Sequence, residues 1–207
     1  MVAIPKPAPA MGVATYADIE SAPPNMKAQI IAGSLVLSPR PSDPHAAIFT
    51  AAIGDLFPHF GKRSGGGGPG GWVIRGEPEL HLDGILPDVF VPDIAGWKRE
   101  RFPEQFRGHK FAVSPDWVCE ILSPSTRSRG QIVKAPLYGR AGIGWLWIVD
   151  PEARVVEVFR NEHGLWVFVS EHQGALVTRM QPFDAVEIDL SEWWLPDPAD
   201  VAVPGSG

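Results

Sequence analysis

Breakers of regular structure recur so densely in this chain that an architecture of long helices is ruled out. Glycine and proline contribute 22 residues each to a total of 207, about a fifth of the chain and near twice their usual share. Helical bundles and coiled coils do not tolerate that density, because glycine loses too much backbone entropy and proline removes a backbone donor. Short strands joined by turns do tolerate it. Apolar residues make up 44% and charged residues 20%, which suffices for a sizeable core. The length fits one large domain, or a domain with arms.

Between the breakers, the pattern is mixed. Residues 1–24 are rich in Pro and Ala with little periodicity and read as a flexible arm. Residues 29–37 read as two short strands hinged at Gly33. Ala47, Ile48, Ala51, Ala52, Leu56 and Phe57 recur at helical spacing over 44–60, with Asp43 as N-cap and Pro44 at the first position. The run Arg63-Ser64-Gly65-Gly66-Gly67-Gly68-Pro69-Gly70-Gly71 lacks the Gly-Lys-Ser or Gly-Lys-Thr of a phosphate loop and reads as a connector. Runs at 72–75, 79–82 and 85–91 suggest a meander, and 96–115 a long irregular insertion. Residues 116–122 form a buried strand, followed by a helix over 127–141 that Pro136 kinks or delays. Strands at 145–149, 155–160 and 166–170 complete the set. The order predicts an α/β (α+β) domain over 25–196, with a central mixed β-sheet flanked by helices, and a flexible tail over 197–207.

Composition also excludes several functions. A single cysteine, Cys119, allows neither an intrachain disulfide nor a zinc site built from several thiolates. No apolar run approaches the roughly 18 residues that cross a bilayer, and the N-terminus lacks a signal-peptide core. A cytoplasmic location is the expectation. The net charge of -6 excludes a basic nucleic-acid coat protein. It does not exclude a local basic cleft. Residues 98–140 hold nine basic against four acidic residues, so that segment is +5 and the remainder -11.

Two carboxylates stand at apolar strand positions. Asp88 follows Pro87 and opens Val89-Phe90-Val91, and Glu120 interrupts 118–122 on the face of Val118 and Leu122. A half-buried carboxylate needs a positive partner, because its desolvation costs several kcal/mol. A structural ion pair and a functional site both satisfy that need. Two such carboxylates on adjacent strands would favour a hard divalent cation. Lys134, on the helix after Glu120, can return toward the strand end and stabilise a developing phosphate charge, or it can be a solvated helix lysine.

At this point the motifs carry a likeness. Pro87-Asp88-Val89-Phe90-Val91-Pro92-Asp93, the run 115–126 ending Glu120-Ile121-Leu122-Ser123-Pro124-Ser125-Thr126, Lys134 with Tyr138, and 145–151 resemble the Uma-two family of restriction-type endonucleases. That family lies in the PD-(D/E)XK nuclease superfamily, and the likeness spans residues 27 to 195. It implies a restriction-endonuclease-like core with Asp88, Glu120 and the carbonyl of Ile121 holding Mg²⁺ or Mn²⁺. It further implies Lys134 as the electrostatic catalyst and His45 and Gln29 as auxiliary residues. Nucleic acid, DNA foremost, is the implied partner, and a homodimer is compatible. Two positions depart from the family pattern: Gln29 replaces a common glutamate, and Gly130 a common aspartate. These departures leave a rival open, a degenerate nuclease fold acting as a binding or assembly module.

The remaining candidates are weaker. Arg127 and Arg129 could contact a phosphate backbone, or form a solvated basic loop. Cys119 points away from Glu120 and reads as a small core residue. Ser123 and Ser125 lie in no nucleophile elbow, and His81, His109 and His163 lack metal-ligand spacing. Trp145 and Trp147 read as core and rim.

Overall fold

The computed structural model describes residues 13–63, 67–82, 88–104, 106–123 and 130–196. A short helix, α1 (Tyr16–Glu20), leads into the antiparallel hairpin β1 (Lys27–Ile31) and β2 (Ser34–Ser38). Ala32 and Gly33 take φ of 49° and 72°, the paired left-handed geometry whose twist suits a two-residue hairpin. Helix α2 (Asp43–Leu56) is capped at Ser42, one residue before the expected Asp43, with Pro44 in its first turn. A π-helical turn, Phe57–Gly61, extends it. Then come β3 (Trp72–Gly76), β4 (Glu79–His81), β5 (Val89–Phe90), β6 (Ile94–Lys98), β7 (Lys110–Phe111) and β8 (Trp117–Ile121). Helix α3 (Gly130–Arg140) crosses to β9 (Trp145–Asp150), β10 (Val155–Glu162) and β11 (Leu165–Gln173).

The strands form a larger and a smaller sheet. The six-stranded sheet runs β11-β10-β9-β8-β6-β3, and the five-stranded sheet β2-β1-β5-β4-β7. Within the larger sheet only β8 and β9 are parallel, joined by the α3 crossover that parallel neighbours require. The sheet is therefore mixed, as the element order predicts.

Alternation of side chains along the strands separates two cores. Trp117, Cys119 and Ile121 of β8 face one side with Ile48, Ala52 and Leu56 of α2 and with Met180, Phe183 and Trp193 of the C-terminal segment. Val118 and Leu122 face the other side, with Leu137 and Tyr138 of α3 and with Ile31, Leu80 and Phe90 of the smaller sheet. Phe183 sits at ring-centroid distances of 4.7–5.6 Å from Phe60, Trp72, Trp117 and Trp147. These edge and tilted contacts add to the apolar area that the rings already bury.

Three local readings differ from expectation. Inside the stretch read as an arm lies α1, and Ala14 donates its N–H to the Gly33 carbonyl at 2.8 Å. Thr15 and Asp18 supply the reason, since the Asp18 carboxylate accepts from the Thr15 N–H and hydroxyl. The runs at 72–82 and 85–91 do not form one meander: β3 joins β6 in the larger sheet, while β4 pairs with β5 in the smaller. The meander is formed instead by β9, β10 and β11. Finally, the presumed irregular insertion begins inside β6. Gly96 disguises that strand, because a Cβ there would meet the rings of Trp117 at 3.1 Å and Trp72 at 3.2 Å. Glycine in this strand marks a close approach, not a break.

Candidate active site

Antiparallel pairing of β6 with β8 ends with Ile94 opposite Cys119; one residue further on, Asp93 reaches the end of β8, where the Ile121 N–H donates to its Oδ2 beside Glu120. Two carboxylates thus converge where β8 delivers the chain toward the α3 crossover. Ligands of open α/β sheets gather at such carboxyl ends.

Asp93 is almost fully buried, at 4% exposure. Its Oδ1 accepts from Lys27 Nζ at 3.0 Å, and its Oδ2 accepts from the Ile121 N–H at 2.8 Å. His45 Nε2 lies 3.1 Å from the same Oδ2. Burial works to raise the Asp93 carboxyl. The His45 hydrogen bond and the charges of Lys27, His45 and Lys134 outweigh burial and hold the group well below the usual carboxylate range. Lys27 also reaches Glu77 at 2.7 Å. Burial would lower its ammonium, but Asp93 and Glu77 more than compensate and raise it.

Glu120 is held from the α3 side. Lys134 Nζ donates to both carboxylate oxygens, at 2.8 and 2.9 Å, and Tyr138 donates its hydroxyl to Oε1 at 2.6 Å. Lys134 and Tyr138 are four residues apart on α3 and so share a face. Burial, reinforced by the Glu120 charge, pushes the Tyr138 phenol well above its ordinary value, so it remains a donor. The helix itself is pinned from behind. Asn161 Nδ2 donates to the carbonyls of Gly139 and Ile143, each at 2.8 Å, and Trp166 Nε1 to that of Ala135 at 2.6 Å.

The candidates named from sequence divide accordingly. Glu120, Ile121, Lys134 and His45 meet around Asp93 and Glu120. Asp88 does not join them by any hydrogen bond or ion pair among the described residues; its Oδ1 accepts from the Gly33 N–H at 2.9 Å, bracing the β1–β2 turn. Its buried Oδ2 has no hydrogen-bond partner among the described residues. Gln29 is buried and its Oε1 accepts from the Val91 N–H at 2.9 Å, so its carbonyl oxygen is already in use. Arg127 and Arg129 lie outside the described residues, and Gly130 opens α3. Cys119 faces the α2 core, and burial first, then Asp93 and Glu120, pushes its thiol up.

Asp93 and Tyr138 carry the cluster although the sequence reading quoted them only within motifs and gave them no role, and Lys27 and Glu77 carry it without having been named. For Asp93 a signal existed: Pro92-Asp93 is a second Pro-Asp, and it opens the strand paired with β8. For Tyr138 the four-residue spacing from Lys134 was available. Lys27 and Glu77 arrive from remote strands, and no local pattern marks them.

No group of three or more His, Cys, Asp or Glu side chains stands ready for a metal among the described residues. Mg²⁺ takes one or two carboxylates together with waters and substrate phosphate oxygens; Asp93 and Glu120 are the carboxylates that would hold it, in exchange for contacts they now make to Lys27 and Lys134.

The mixed sheet with its β8–α3–β9 crossover is an α/β fold that recurs among solved structures. It is shared with a crystal structure from Anabaena variabilis described as a putative nuclease belonging to DUF820, at TM-score 0.66 and 22% identity. The match covers 88% of this chain and 99% of that one. No curated protein matches the sequence. The family model of Uma2, described as "Putative restriction endonuclease", matches residues 13–191, and the chain belongs to that family.

Proposed function

We propose that this chain is a metal-dependent endonuclease that hydrolyses phosphodiester bonds in DNA, with Asp93 and Glu120 as its metal-holding carboxylates. The meeting of these two groups at the end of β8, each backed by a lysine, is the observation that carries the reading. Asp93 takes the role that the Pro-Asp motif suggested for Asp88, because Asp93 meets Glu120 at the end of β8 and Asp88 braces a turn. When bound, Mg²⁺ or Mn²⁺ lowers the pKa of a coordinated water and neutralises phosphate charge. His45 and the Ile121 N–H orient the Asp93 carboxylate for that task. Lys134, gripping both oxygens of Glu120, stands within reach of a phosphate seated there and stabilises the charge that develops on it. Tyr138 fixes Glu120 in place.

Cleavage of plasmid DNA with Mn²⁺ tests this. Asp93→Asn and Glu120→Gln lose cleavage by a hundredfold or more, a loss on the scale of removing one transition-state donor. Asp88→Asn retains it. Loss with Asp88→Asn but not with Asp93→Asn would return the ligand role to Asp88.

One observation favours a second reading, a fold that binds or assembles without cutting. Lys27 and Lys134 already neutralise Asp93 and Glu120, and Gln29 adds no charge for a cation. Calorimetric titration separates the two: no saturable Mn²⁺ binding below millimolar concentration supports the second.

A further inference from the structure

Along β3, the side chains that point away from α2 are Val73 and Arg75, while Gly76 faces Phe49 of α2. Arg75 stands two residues before Glu77, which lies just past the end of β3 and closes the carboxylate cluster through Lys27. Here the surface opens into a cleft of about 970 Å³ between the Phe57–Gly61 turn, β3 and the segment that follows β6. Five cations line it: Lys62, Arg63, Arg75, Arg99 and Arg107. Glu104 is the acidic residue in that lining. None of the five cations forms an ion pair with a carboxylate among the described residues.

Arg99 spends one guanidinium nitrogen on the carbonyls of Gly61 and Trp72, at 2.9 and 2.6 Å, which fixes its charge at the cleft wall. Arg75 bonds its own neighbour's carbonyl, at Ile74, and lies over the Phe102 ring at 5.8 Å. Burial and the like charge of Arg99 both disfavour the Arg75 cation, and an incoming phosphate relieves both. Aromatic rings share the lining: Phe57 is 42% exposed, while Phe102 and Phe106 are half-buried and pack on Trp97 and Phe111, leaving only their outer edges toward the cleft. A positive groove interleaved with aromatic rings is the surface that takes a single strand, its phosphates on the cations and its bases against the rings.

We infer that this cleft binds a single-stranded stretch of nucleic acid, the strand that continues from the bond held at Asp93 and Glu120. The inference rests on the nuclease reading for that continuity, but the binding itself needs neither metal nor cleavage. It is tested by fluorescence anisotropy of a labelled oligothymidylate in EDTA, over a range of salt. A duplex of equal length binds wild type more weakly than the single strand. The triple variant Lys62→Gln, Arg75→Gln, Arg107→Gln lowers the slope of log affinity against log salt by about 2, at ~0.7 per lost phosphate contact. Arg99 is left in place because it ties Gly61 to Trp72.

Should the triple variant misfold, wild-type protein supplies the second measurement: bound oligothymidylate slows acetylation of Lys62 while Lys110 reacts unchanged. An unchanged salt slope in a folded variant, unprotected Lys62, duplex bound as tightly as the single strand, or no binding to wild type each overturns the inference. Binding through the cleft without cleavage in Mn²⁺ overturns the nuclease reading and leaves this one standing.

Discussion

Asp93 and Asp88 are five residues apart, follow the same residue type and are both buried, yet they do different work. One meets Glu120 at the end of β8, and the other holds the N–H of Gly33. Period-2 reasoning placed Glu120 on the face of Val118 and Leu122, and the structure agrees. The lysine returning from the following helix is there too. Which Pro-Asp meets Glu120 depends on strand register, and a register between strands separated by 18 residues leaves no local trace in sequence. The same residue-level logic makes Cys119 inert. It is fully buried on the α2 side, and its thiol is pushed up by burial and by nearby carboxylates. A thiol reagent at pH 8 is therefore expected to label no Cys119 in native protein and one equivalent after denaturation. Labelling of native protein would show that β8 opens.

At the scale of elements, α3 decides whether Lys134 meets Glu120. Gly139 allows the helix to lie directly on the β10–β11 turn, since a Cβ there would come within 2.6 Å of the Gly164 carbonyl. Backbone cannot yield as a flexible side chain can, so Gly139→Ala displaces the helix and with it Lys134 and Tyr138. The expected result is a lower melting temperature together with a loss of cleavage larger than the loss of folded protein explains. Gly164→Ala is a useful contrast: its Cβ meets nothing within 4 Å, but its φ of 89° makes the substitution strained, so its cost falls on stability alone. Elements with clean periodicity, α2 and the strands at 145–170, were legible from sequence. β6 was not, because Gly96 looks like a break until the two tryptophans that need its bare backbone are placed around it.

For the whole molecule, the six-stranded sheet is stabilised on its α2 side by a segment from far along the chain. Met180, Phe183, Ile188, Leu190 and Trp193 are buried there. Phe183 is the centre of four aromatic contacts. Phe183→Ala is expected to cost about 3–5 kcal/mol, read as a shift in the urea midpoint with an unchanged slope. A cost below about 1 kcal/mol would mean that the rings around it close the gap. The net charge is distributed in the same way at this scale: the molecule is acidic as a whole, while the cleft beside β3 is basic.

The stretch from Asp88 to Asp93 leaves the smaller sheet at β5 and enters the larger one at β6. Lys27 on β1 belongs to the first sheet and Asp93 to the second, 66 positions away in sequence. The charge cluster therefore cannot assemble on either sheet alone. A chain emerging from synthesis, or one partly opened, has its carboxylates in water and apart. Only docking of the two layers adds Lys27 to Asp93, so the cluster is complete only once both sheets are packed together.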